Sequence, residues 1–333
     1  MVGRGDESVE ILGRAHQEYQ DRDDPVSSAR CAFWLGFQLL MRGERARGSG
    51  WVARAERLLD DCGRDCEERG FVLLPRGLGL LSQGDPESAR ETFAEAGRIA
   101  ERFSSRDLMA LSRLGRGQAL IRSGAIDDGV ALLDEAMAAV DAGDLGPVAI
   151  GTIYCAVIET CQEIFDLGRA KEWTAALSDW CASQPELVPF RGECLVRRSE
   201  ILRLQGDWPD ALEEARRAGR LLTGPSIETG AGAAFYEQAE LHRLRGEFEE
   251  AEEAYREASR RGRTPQPGLA LLRLAQDRVD DAEGAIRRVM DEAATPAEQA
   301  NVLPAHVNIM VAAGDLDAAR QASGTLSRIA EDL

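Results

Sequence analysis

Three glutamates recur at intervals of 41 and 40 residues, each with a hydrogen-bonding side chain three residues beyond it: Glu159 with Gln162, Glu200 with Arg203, Glu240 with Arg243. On a helix such positions share a face, and an exposed ion pair there is worth only a few tenths of a kcal/mol. The recurrence is what gives the set chemical meaning. Side chains returning in register would build a ladder of carboxylates and guanidiniums, with Tyr154 and Tyr236 close by. An arginine fork is suited to fixing a carboxylate or a phosphate. Such a wall could hold a polar small molecule or the end of a peptide.

Residues for catalysis are sparse by comparison. His16, His242 and His306 lie far apart, and two of them occupy packing registers. There is no HExxH, no nucleophile elbow and no dinucleotide glycine loop after a strand. The glycines of Gly77-Leu-Gly79 and Gly115-Arg-Gly117 are spaced for helix packing. Lys171 is the only lysine and follows no phosphate loop, which excludes a P-loop. Convergent carboxylates would still suffice for acid-base chemistry, so an enzyme is disfavoured without being excluded. Seven scattered cysteines read as free thiols in a reducing compartment. Cys62 and Cys66 stand one helical turn apart and could share a face, but they lack the further ligands zinc needs. Cys155 and Cys161 fall at inner helix positions. No metal and no cofactor is expected.

The elements that must position these residues follow a ruler. Turn positions fall at Gly43, Gly84, Gly124, Phe165, Gly206, Gly246, Asp277 and Gly314, at intervals of 41, 40, 41, 41, 40, 31 and 37 residues. A repeat of that length signifies a stacked solenoid. The clearest copy runs from Phe235 to Ala258. A glycine ends one helix, and Ala251, Tyr255 and Ala258 follow five, nine and twelve residues on; Gly84 repeats this with Ala89, Phe93 and Ala96. Seven residues before each turn stand Gly36, Gly77, Gly117, Ile158, Ser199, Ala239, Ala270 and Val307, six of the eight small. Small residues allow close helix approach, and a large one between them fills the gap.

These constraints resemble the tetratricopeptide repeat, over residues 26–333 after an N-terminal helix or half repeat at 1–25. The fold class expected is all-α, a right-handed superhelical solenoid of about eight helix pairs without a domain break. The usual period is ~34 residues, so the excess must lengthen helices or fill loops at 143–147, 184–189, 224–230 and 264–268. HEAT-like repeats share the longer period and remain the alternative. The tetratricopeptide resemblance implies that first helices line a concave face. Their inner positions, six residues before each turn, are Phe37, Leu78, Gln118, Glu159, Glu200, Glu240, Leu271 and Asn308. The wall starts apolar and turns polar in its middle. The ligand or partner site expected is therefore Gln118, Glu159, Gln162, Glu200, Arg203, Tyr236, Glu240 and Arg243.

Composition sets the remaining bounds. The net charge is −18, from 40 basic and 58 acidic residues, and the pI is about 4.8. Phosphate backbones are bound through Lys and Arg, so no direct nucleic-acid binding is expected. No apolar run approaches a membrane span, and the first residues hold no signal-peptide core, which points to the cytoplasm.

Longer phrases carry a second resemblance. Ala32-Phe-Trp-Leu-Gly-Phe37, Leu114-Gly-Arg-Gly-Gln-Ala119, the run Tyr154–Asp166, Glu172-Trp-Thr-Ala-Ala-Leu177 and the run Pro265–Ala275 resemble the repeat region of actinobacterial LuxR-type transcriptional regulators. That family implies a tetratricopeptide sensor or interaction region ahead of a C-terminal helix-turn-helix, an organisation similar to the maltose-regulon activator. After Arg320 the chain runs only to Leu333 without a LuxR-type recognition helix. Either that part has been removed or this is a shortened relative, and no residue inherits the DNA-binding role. The reading is a non-catalytic solenoid that takes an effector or protein partner in its groove, and a homodimer is compatible with it. The alternatives are an enzyme or pathway accessory protein holding a small metabolite, and an assembly scaffold.

Overall fold

A computed structural model describes residues 5–41, 44–183, 188–223, 230–293 and 296–332. The described residues form seventeen helices and no strand. After α1 (Gly5–Asp21), the first helices of the pairs are α2 (Pro25–Met41), α4 (Glu68–Ser82), α6 (Arg106–Arg122), α8 (Pro147–Glu163), α10 (Val188–Gln205), α12 (Ala231–Leu244), α14 (Gly268–Ala275) and α16 (Pro296–Ala313). The second helices are α3 (Arg45–Cys62), α5 (Pro86–Phe103), α7 (Ile126–Asp141), α9 (Leu167–Ser183), α11 (Trp208–Leu222), α13 (Phe248–Arg260), α15 (Val279–Glu292) and α17 (Leu316–Asp332). The helices are all-α helical repeats of tetratricopeptide type. The long period lies partly in helices of up to 18 residues, and the 31-residue interval is met by an α14 of only eight.

Each described turn has one geometry. Gly84, Gly124, Phe165, Gly206, Gly246, Asp277 and Gly314 all take positive φ, Phe165 and Asp277 at 58° despite their side chains. At Gly246 its N–H donates to the Arg243 carbonyl at 3.1 Å and the Glu247 N–H to the His242 carbonyl at 2.9 Å. The same two bonds recur at the other six turns, and together they are a Schellman stop. The acidic residue after the turn starts the next helix in several copies. Asp85, Asp166 and Asp315 each accept the backbone N–H three residues on, at 3.0–3.1 Å. The turn at Gly43 and the loops over 184–187 and 224–229 lie outside the described residues.

Within a pair, the residue seven before the turn meets the residue five after it. At Gly36 and Gly48, and again at Gly117 and Gly129, a Cβ on the first glycine would stand 2.9 Å from the carbonyl oxygen of the second. Ser199 makes the same approach by donating its hydroxyl to the Ala211 carbonyl at 2.8 Å. Ala89, Ala170, Ala211, Ala251 and Ala282, all five residues past their turns, are fully buried.

The helices gather into two compact units, one reaching Cys194 and the other beginning at Leu195 within α10. In the first, Phe93 lies between Gly77 and Gly115, where an added Cβ would come within 2.5 Å of its ring from either side. In the second, Tyr255 packs with Ala239, Ala251, Ala254 and Leu272. No helix of the described residues is long and apolar enough to cross a membrane.

Candidate functional site

The expected site residues divide between the units. In the first, α6 and α8 are joined by Gln118, whose amide nitrogen donates to the Thr160 hydroxyl at 3.2 Å. Glu159 is exposed on α8 and Gln162 half-buried on the same helix. Tyr154 is buried against Trp180, with ring centroids 6.1 Å apart, and burial pushes its phenol up from the ordinary value. Its ring is a packing group, the residue being 4% exposed.

In the second unit α10, α12, α13 and α14 build a denser polar cluster. Glu240 pairs with Arg243 as the spacing predicts, Nη2 to Oε2 at 2.8 Å and Nε to Oε1 at 3.4 Å. The carboxylate is not a groove-facing group, however, being only 6% exposed. Its Oε1 also accepts the Tyr255 hydroxyl from α13. Gly268 opens α14 directly against them, since a Cβ there would collide with Glu240 Oε1 and the Tyr255 oxygen. Tyr236 completes the corner, edge-on to Tyr255 at 5.7 Å, with the Arg263 guanidinium 5.3 Å from its ring centroid. Burial and then the Glu240 charge hold both phenols above their usual range.

Arg203 departs from the expected pairing. Instead of Glu200 on its own helix it takes Glu237 of α12, Nε to Oε2 at 2.8 Å and Nη2 to Oε1 at 3.4 Å. Glu200 meets Arg197 at 3.2 Å. The reason is desolvation: Glu237 is only 3% exposed, and a carboxylate taken out of water needs a counter-charge. Burial pushes the Glu237 carboxyl up to about 7, with Arg203 pulling against it. Burial pulls Arg203 down, but Glu237 and its neighbouring carboxylates outweigh that and hold the guanidinium above its ordinary value. In Arg203 and Arg243 alike the carboxylate is bound through Nε and Nη2, which leaves Nη1 outside the pair.

Sequence reasoning missed Glu237, Arg197 and Gly268 as members of this cluster. A signal existed for Gly268, which stands nine residues before its turn as Gly115 does, each beside the large residue of the preceding repeat. The cysteines also differ from expectation. Cys62 ends α3, Gly63 turns left-handed at φ 61°, and Cys66 lies beyond the helix, so the two share no helical face. No disulfide joins cysteines among the described residues, and burial raises Cys161 to about 11. His242 Nδ1 lies 2.5 Å from a Glu247 carboxylate oxygen, and His16 is buried between Ser28 and Arg54. Among the described residues no group of three His, Cys, Asp or Glu could hold a metal.

No protein-family model matches the chain, and no curated protein does. Solved structures do match in fold. A Rap protein complexed with competence and sporulation factor superposes with a TM-score of 0.67 at 11% identity, over 99% of this chain and 98% of that one. The quorum sensor NprR from B. thuringiensis, in its apo form, gives 0.58 at 12% identity over 99% and 97%. NprR in complex with its cognate peptide NprX gives 0.60 at 12% over 90% and 88%. At such identities the likeness is one of fold.

Proposed function

We propose that the chain is a non-catalytic binding protein whose second unit receives a peptide on the first-helix face, at Glu200, Arg203, Tyr236 and Arg243, with the buried Glu240 holding Arg243 in place. The observation that carries this is the state of the two arginines. Their side chains are 22% and 15% exposed, and each is oriented by a carboxylate bound through Nε and Nη2, so that the part still exposed is set to donate to a peptide carbonyl or carboxylate. A pre-oriented donor loses little entropy on binding. The NprR complex supports the peptide class, because a protein of the same fold is seen there with a peptide. In the first unit Glu159 and Gln162 are the corresponding groups on α8. The phrases resembling LuxR-type regulators support a further step, in which this is a sensor region of such a regulator, working in the cytoplasm.

The test is native mass spectrometry of the chain purified under mild conditions from its own host, followed by sequencing of any retained peptide. Its binding to Arg243→Gln should be about tenfold weaker, as expected when one charge-assisted hydrogen bond is removed. Retention of the peptide at unchanged affinity by Arg243→Gln and Glu200→Gln together would refute the site. With a charge of −18, the chain should leave duplex DNA unshifted in a gel at physiological salt, and a LuxR-type helix-turn-helix joined to it should be needed for any shift.

A further inference from the structure

In the first unit α2 and α4 meet over a cleft of about 160 Å³, lined by Arg30, Phe33, Trp34, Glu67, Glu68 and Phe71. Half of the lining is aromatic. Phe33 and Trp34 are 5.2 Å apart, edge to face; Phe71 is 5.8 Å from Phe33 and 6.0 Å from Trp34, tilted by 51° to each. Rings set at such angles turn their π faces in more than one direction around a shared space. A cation within ~6 Å of a ring centroid is attracted by that face.

The charges beside the rings do not cancel. Glu68 is buried and is bound by Arg30 through Nε at 2.7 Å and through Nη2. Glu67, at the N-cap of α4, is half-buried, and its carboxylate has no hydrogen bond or ion pair among the described residues. Two carboxylates against one guanidinium leave the cleft one unit negative, within a chain of net charge −18 whose field repels anions. A neutral apolar guest would desolvate Glu67 with nothing in return. An alkylated ammonium meets both halves of the lining: its methyl groups cover the rings, its charge answers Glu67, and it gives up little hydration. The cleft has room for a head group of that size.

We propose that this cleft binds a small organic cation through an alkylated ammonium head, with Phe33, Trp34 and Phe71 as the aromatic walls and Glu67 as the counter-charge. The site is independent of the peptide face in the second unit.

The test uses the whole chain labelled with 5-fluorotryptophan, the Trp34 resonance being assigned with Trp34→Phe. Tetramethylammonium chloride and choline chloride are titrated at constant ionic strength, beside sodium chloride and the neutral isostere 3,3-dimethylbutan-1-ol. Both ammonium salts should shift the Trp34 signal saturably, about tenfold more tightly than the alcohol. Glu67→Gln should weaken them about fivefold and Phe71→Leu about threefold, with thermal midpoints close to wild type showing that both variants fold. Three results would each overturn the proposal: equal binding of the alcohol, a Trp34 signal that moves no more with the ammonium salts than with sodium chloride, or folded Glu67→Gln and Phe71→Leu variants that titrate like wild type.

Discussion

Phe93 in the first unit and Tyr255 in the second each stand nine residues past their turns, and each faces a glycine nine residues before the next turn, Gly115 and Gly268. The slot is the same and the chemistry is not. Beside Phe93 the inner position of the first helix is Leu78, left 53% exposed; beside Tyr255 it is Glu240, buried and bonded to the added hydroxyl. The phenolic oxygen and the inner glutamate together separate a repeat that presents an apolar surface from one that buries a charged network. One ion pair from each unit gives a second contrast. Arg122 and Glu163 of the first unit meet at 3.3 Å with each side chain 46% exposed, whereas Arg203 and Glu237 of the second are largely withdrawn from water.

The contrast breaks most sharply at Arg203. Arg203→Ala strands a buried carboxylate and should cost ~3–5 kcal/mol, read by chemical denaturation, while Arg203→Met with Glu237→Leu should return most of it. A cost under ~1 kcal/mol for the single change would mean that the pair is solvated after all. Next comes the slot itself. Tyr255→Phe removes a bond to a charged acceptor and should cost ~1.5–3 kcal/mol. The reciprocal Phe93→Tyr forces an oxygen between two glycine-lined helices and should cost ~1–3 kcal/mol. If Phe93→Tyr proved neutral, the two slots would differ in shape as well as in chemistry.

A pH profile sharpens the same point. Burial places the Glu237 carboxyl at about 7, above the ~4.3 of an unfolded glutamate, so the folded state holds this proton more tightly. Its stabilisation is complete below the unfolded value and is lost as pH rises through about 7. His306, lowered by burial and then by Arg287, runs the other way, contributing stability that is present above the unfolded histidine value and lost as pH falls. Comparison with Glu237→Gln cancels the histidine. Wild type should lose stability relative to that variant across roughly pH 4–7, and a pH-independent difference between the two would contradict the buried reading. The smallest effect belongs to Arg122→Ala, at ~0–1 kcal/mol in the same denaturation assay.

The sequence alone determined the register. Positive-φ turns, small residues at matching offsets and the large residue between them are local or nearest-neighbour requirements, and a periodic chain must write them at every copy. That is why even Phe165 and Asp277 were legible as turns without glycine. The two-unit division within α10 left no mark in composition, since compactness arises from packing. Nor could spacing reveal that Arg203 passes over Glu200 for Glu237, 34 residues away. Several carboxylates lie within reach of a long side chain, and which one it takes depends on which has lost its water. The same holds for Glu67 beside the aromatic cleft, an ordinary helix-start glutamate until α2 brings Phe33 and Trp34 next to it. Periodicity fixes where helices approach; burial, which exists only once they have packed, decides which charges must find each other and which remain for a ligand.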